Sequence, residues 1–181
     1  MEIAEIQELR AELQELKDVR EINDLWFKWH HECTGGFNGK QAGRMAALEC
    51  LSDDATIEIE GHHAPGEGPK GPKECTEFWS YFVGDNGPLP HVFQCSVSER
   101  VKVNGDTAEQ ESVQYCIIQF RGQKPRAGLV QRVNTLIRTA AGWRIQKVMH
   151  FGGYFFEVEK LVGDLNVLPE QEQRVPWSFK G

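Results

Sequence analysis

Six histidines hold most of the acid–base chemistry open to this 181-residue chain. The run Lys28-Trp29-His30-His31-Glu32-Cys33-Thr34-Gly35-Gly36 sets two imidazoles, an acid and a thiol at a helix end, stopped by a glycine pair. His91, in Pro88-Leu89-Pro90-His91-Val92-Phe93, opens a strand-rich half, and His150 falls near the end of its last strand. Imidazole titrates close to neutral pH, so each of these could move a proton with little tuning. His30 and His31 point about 100° apart on a helix. Trp26, Trp29, His30 and Cys33 recur at gaps of three and four, which turns His30 toward a pocket and His31 to the periphery. The same spacing equally fits two core tryptophans with His30 a satisfied core group. Glu32 lies off that side and reads as solvated.

By alternation His150 shares a face with Val148 and Gln146, so it is a second pocket base only where the pocket lies on that side. Against this, Trp143, Ile145, Met149 and Phe151 form the apolar set, and a bulge would exchange the two faces. Tyr115, Arg132 and Asn134 on neighbouring strands could each hold a substrate oxygen or lie on the surface, and Tyr154 could close the pocket mouth. A metal centre is the rival use for so many imidazoles. His30-His31 and His62-His63 are adjacent pairs that diverge on helix or strand, and neither gives the HExxH or CxxC spacing of a zinc site. No phosphate-binding GxGxxG turn and no GxSxG nucleophile elbow occurs, so the motifs give no signal for a phosphate cradle or a covalent nucleophile, and a zinc-dependent enzyme is left as a third reading.

The elements around these residues divide the chain in two. Ile3, Ile6, Leu9, Leu13, Leu16, Val19, Ile22 and Leu25 give a helical stripe, and Asp18-Val19-Arg20-Glu21 resembles a capping box that would split it into two helices. A short helix is expected from Asn38, a strand over Ala55–Glu60, a glycine- and proline-rich loop over 61–71 and a helix from Pro72 to Val83. Beyond His91 come long strands. Asn104-Gly105 signals a type I′ hairpin, and runs at Ala108–Phe120, Gly128–Arg138 and Trp143–Phe151 follow. Helices first and antiparallel strands after make an α+β fold, a strongly curved sheet wrapped round the helices as a cone with one open end. That cone would hold an apolar ligand. One domain is expected over residues 1–160. A polar tail over 161–181 carries Trp177 and Phe179, which either dock or belong to a disordered end.

Net charge is −7 with no basic run, which argues against nucleic acid or an anionic membrane as partner. No apolar run approaches the ~18 residues of a membrane span, and Met1-Glu2-Ile3-Ala4-Glu5 is the reverse of a signal peptide. Five widely spaced cysteines without a CxxC pair suit reduced thiols, hence a cytoplasmic location.

The order of elements, with Leu51-Ser52-Asp53-Asp54-Ala55-Thr56-Ile57-Glu58 and Gly142-Trp143-Arg144-Ile145 ahead of Tyr154-Phe155-Phe156, resembles the nuclear transport factor 2-like superfamily. Its SnoaL-like branch is the nearest in pattern, over roughly residues 5–158. That resemblance implies cofactor-independent elimination by an Asp-His pair, the histidine leading a strand as His91 does. The aspartate position falls on Thr34, and a tyrosine or lysine five residues earlier on Trp29, so the usual orienting acid is missing. The branch also includes a formaldehyde-releasing lyase of lignin-derived diarylpropanes. The expected function is a metal- and cofactor-free lyase, losing water or formaldehyde from a hydroxylated aromatic or other apolar small molecule. His91 would be its acid or base, with His30 or His150 assisting. The alternatives are a non-catalytic binding or scaffolding protein, or an isomerase or polyketide cyclase using the same pocket. The resemblance further implies a homo-oligomer, a dimer or trimer formed through the convex sheet face and the N-terminal helix.

Overall fold

The computed structural model describes residues 3–34, 45–83, 88 and 91–158, with backbone alone at 32–34, 45–46, 80–83 and 91–93. The short helix expected from Asn38 begins outside that range, where a 3₁₀ turn over Met45–Cys50 picks the chain up; the tail lies outside it too.

Helix α1 runs unbroken from Ile3 to Thr34. The expected joint at Asp18 is corrected, because the Asp18 carboxylate is taken by tertiary partners instead of capping a new helix. It accepts from Arg138 Nη2 at 2.6 Å, Trp143 Nε1 at 3.2 Å and Gln14 Nε2 at 3.1 Å. Strand β1 (Leu51–Ile59) follows, then helix α2 (Gly71–Val83). Gly71, at φ +75°, turns the chain into α2, and Pro72 takes the next position, where its missing N–H costs nothing. Glu74 reaches back to accept from the Lys70 amide at 3.0 Å.

Strands β2 (His91–Asn104), β3 (Thr107–Gln119), β4 (Arg126–Thr139) and β5 (Gly142–Glu157) form an antiparallel meander. The sheet order is β1-β5-β4-β3-β2. The expectation of a wholly antiparallel sheet is corrected at one edge. There β1 runs parallel to β5, since α2 and three further strands, not a hairpin, lie between them in the chain. The β2–β3 turn is also corrected. Asn104 still pairs with Thr107, so the loop is Gly105-Asp106 with only Gly105 at positive φ (+62°), the type II′ arrangement and not type I′.

Bulges decide which side chains face α1 and α2. Between Thr135 and Leu136 of β4, the partner strand advances from Lys147 to Ile145, so β5 holds one extra residue at Gln146. Trp143 and Ile145 before it, and Val148 and His150 after it, are therefore all buried on the inner face. A second shift, with Arg132 opposite His150 and Val130 opposite Gly153, reverses the alternation again before Tyr154. The backbones close up there: a Cβ on Gly153 would stand 1.9 Å from the Leu129 carbonyl oxygen, and one on Gly128 2.1 Å from that of Tyr154. The core gathers Ile22, Trp26 and Trp29 of α1, Trp79 of α2, and Ile57, Leu136, Trp143, Ile145 and Val148 of the sheet.

Candidate active site

Paired residues on the inner face form rows across the sheet. Ala108, Leu136 and Ile145 make an apolar row, Gln110 pairs with Asn134 in the next, and Ser112 pairs with Arg132, itself opposite His150, in the third. All of these are buried. Polarity therefore rises step by step from the Trp143 end toward His150.

At the polar end α1 and β2 complete a cluster. Arg132 is 1% exposed, and its guanidinium lies over the Trp26 ring, 4.7 Å from the centroid. Its Nη2 donates to His150 Nδ1 at 3.3 Å and to Gln94 Oε1 at 3.4 Å. His30 Nε2 meets the same Gln94 Oε1 at 3.1 Å. These contacts fix both tautomers. Arginine can only donate, so His150 Nδ1 accepts and the proton of the neutral ring sits on Nε2. The Gln94 oxygen can only accept, so His30 donates from Nε2 and keeps its lone pair on Nδ1.

The imidazoles are held uncharged. Burial, then the charge of Arg132, pushes His30 down to about 4, although the bond to Gln94 opposes this. His150 lies well below the ordinary imidazole value for the same two causes in the same order, with His30 adding to them. Cys116, buried on the inner face, is pushed up to about 11 by burial despite Arg132, so it stays a thiol and is a poor nucleophile.

Aromatic rings wall the cluster. Trp26 stacks on Trp29 at 5.1 Å, Trp29 meets Trp79 edge-on at 6.5 Å, and Trp79 lies 5.5 Å from His150. The buried polar atoms that have no hydrogen-bond partner among the described residues include His150 Nε2, Trp29 Nε1, Asn134 Oδ1 and Gln114 Oε1. Asn134 is oriented by a relay, its Nδ2 donating to Gln110 Oε1 and Gln110 Nε2 donating to Asn23 Oδ1, both at 3.0 Å. That relay turns an acceptor outward from the Asn134 amide. Buried donors and acceptors left over in this way suit a polar ligand.

Of the residues expected at the site, His30, His150, Arg132 and Trp29 come together, and Asn134 lies one row away. Tyr154 is corrected: it is 90% exposed beside Leu129, because the second bulge on β5 turns it to the outer face. Tyr115 is corrected too, since it pairs with Leu129 on that outer face, opposite to Gln114 and Cys116. His91 starts β2 opposite Gln119, and Thr34 ends α1; the side chains of both lie outside the described residues. His31 is exposed and stacked on Phe27. His62 and His63 pack against Phe78, and His63 Nδ1 accepts from the Ile59 amide. Among the described residues no three His, Cys, Asp or Glu side chains converge as metal ligands. Gln94, Gln110, Gln114 and Trp79 were not expected at the site. For Gln110 and Gln114 the signal is alternation run backwards, with Gln110, Ser112 and Gln114 inside and Val113, Tyr115 and Ile117 outside.

No family model and no curated protein sequence matches the chain. Solved structures do, and they show the nuclear transport factor 2-like fold. The hexachlorocyclohexane dehydrochlorinase LinA-type3 of Novosphingobium barchaimii LL02 superposes with a TM-score of 0.67 at 16% identity, over 83% of this chain and 96% of that one. An NTF2-like protein with a cystatin-like fold from Novosphingobium aromaticivorans gives 0.60 at 18% identity, over 83% and 91%. A candidate scytalone dehydratase from the latter organism gives 0.60 at 12%, over 81% and 91%. At such identities the likeness is one of fold.

Proposed function

We propose that this chain is a cofactor-independent lyase, removing water or formaldehyde from a hydroxylated aromatic or otherwise apolar small molecule by acid–base catalysis. Lignin-derived diarylpropanes fit that description. The observation that carries the reading is the buried Nε2–H of His150, fixed as a donor by Arg132 and lacking an acceptor among the described residues. A donor set in advance is what stabilises an oxygen on which negative charge develops, as in an enolate. For dehydration, a base takes a proton from carbon and the hydroxyl leaves with a proton as water. For deformylation, the base takes the hydroxyl proton, the carbon–carbon bond breaks to give formaldehyde, and the carbanion is reprotonated. His30, with its lone pair on Nδ1, and His91, at the head of β2, are the candidate bases. Trp26, Trp29 and Trp79 offer aromatic faces to the substrate. The same machinery would serve an isomerase or cyclase. A cytoplasmic homo-oligomer acting on small molecules belongs to this proposal. Among the described residues, no helix is long and apolar enough to cross a membrane.

One observation favours a second reading, a binding protein without turnover: an imidazole held near 4 is a weak base. A mass-spectrometric screen separates the two, using chelator-treated protein and aromatic and polycyclic alcohols with no cofactor added. The lyase predicts a product lighter by water or formaldehyde, lost in His150→Ala and reduced in His30→Ala or His91→Ala according to which is the base. Compounds retained without any product would support the binder. Undiminished turnover by His150→Ala would remove that residue from the mechanism.

A further inference from the structure

The apolar positions of α1 do not form one stripe. From Asp18 onward, Asp18, Ile22, Trp26 and Trp29 are buried against the body. Before it, Leu9, Leu13 and Leu16 are 53%, 52% and 67% exposed, with Ile6 half-buried. At 100° per residue the two sets lie roughly 170° apart around the helix, so the outer set points away from the chain's own sheet. Residues 3–17 extend for ~20 Å at the rise of an α-helix, and every one except Ile6 is exposed.

Ile6, Leu9, Leu13 and Leu16 recur at gaps of three, four and three, the a and d positions of a coiled coil. That frame fixes the flanking charges. Its g positions are Glu5 and Glu12, and its e positions are Arg10 and Lys17. In a parallel pair each g residue faces the next e residue of the partner helix, so Glu5 meets Arg10 and Glu12 meets Lys17, twice over by symmetry. In an antiparallel pair g faces g and e faces e, which sets like charges together. Leucine at both d positions with isoleucine at the first a position suits two strands.

We propose that the first half of α1 is a docking surface for a second copy of this chain, joined as a parallel two-stranded coiled coil over Ile6–Leu16. The pairing is self-complementary, and it leaves the concave site of each copy uncovered by the other's seam.

Sedimentation velocity of the full chain at low and high salt tests this. Wild type is expected as a dimer that weakens with salt. Glu5→Lys with Glu12→Lys makes every g and e position basic and should raise the dimer Kd ~10-fold or more. Adding Arg10→Glu and Lys17→Glu exchanges the charges and should restore wild-type association. A disulfide formed between identical positions in Leu13→Cys, above the wild-type background, would report the parallel register. Unchanged melting of each variant shows that the body stays folded. A monomeric wild type, or an assembly indifferent to both charge variants (as contact through the outer sheet face would be), overturns the proposal. So does loss that the exchange fails to repair.

Discussion

Two arginines of strand β4, Arg132 and Arg138, each lie over a tryptophan and each reach α1 or its neighbours, and they serve different ends. Arg138 lies 4.4 Å from the Trp143 centroid and is held by carboxylates, Asp18 at 2.6 Å and Asp106 at 3.2 Å. Arg132 lies over Trp26, and its contacts include an amide oxygen and a neutral imidazole. In the first cluster every charge is answered, and the result ties helix to sheet. In the second the cation suppresses protonation nearby and fixes a tautomer, leaving hydrogen-bonding capacity for something else. Similar pieces make a clamp when the third partner is an acid and a site when it is a base.

Breaking the second cluster should cost activity before stability. Under the lyase reading, His150→Ala should lower kcat/KM by ~10²–10³, checked by steady-state turnover, with the melting transition little changed. Breaking the first should do the reverse. Asp18→Ala leaves the buried Trp143 Nε1–H without its acceptor and Arg138 with Asp106 alone, and should cost about 2–4 kcal/mol by urea unfolding, discounted for the solvent around Arg138. Turnover per folded molecule should hold.

Acid separates the two clusters by pH window. The folded state depresses His30 to about 4 and His150 below its ordinary value, so the unfolded chain binds protons that the folded chain refuses. Stability should therefore rise with pH from about 4 to about 6.5, and His30→Gln should flatten that rise. Asp18 is lowered chiefly by its bond to Arg138, so its stabilisation is complete above the usual carboxylate value and fades only as pH falls through the lowered one. Asp18→Asn should alter the acid limb alone, read by unfolding at stepped pH. The smallest effect is expected at the relay: Gln110→Leu frees the Asn134 amide to rotate and should raise KM about 5- to 10-fold with little change in kcat.

Elements whose sequence pattern is local were readable in advance. Pro72 marks the start of α2, Gly105 marks a tight hairpin, and the long strands fall within a few residues of where β-rich runs predict them. Asp18 misled because a capping pattern cannot announce that Arg138 and Trp143, some 120 residues later, will claim the carboxylate. Parallel pairing of β1 was hidden for the same reason. On the inner face the familiar rule of polar outside and apolar inside runs backwards along β3 and β4, so nothing local marked Gln110 and Gln114 as inward, and Tyr115 stayed open between pocket and surface. His150 hung on a single register question, and Tyr154 on the next one.

The extra residue at Gln146 has an evolutionary consequence. Removing it would leave a regular strand in which Ile145, Val148 and His150 still share the inner face, whereas pairing it into the ladder would carry Val148 and His150 outward and bring Lys147 and Met149 in. A lineage can therefore gain or lose this residue and keep the third row, so long as the chain around it bulges or straightens to match. Comparisons that align sequences without gaps there would place His150 in the wrong column.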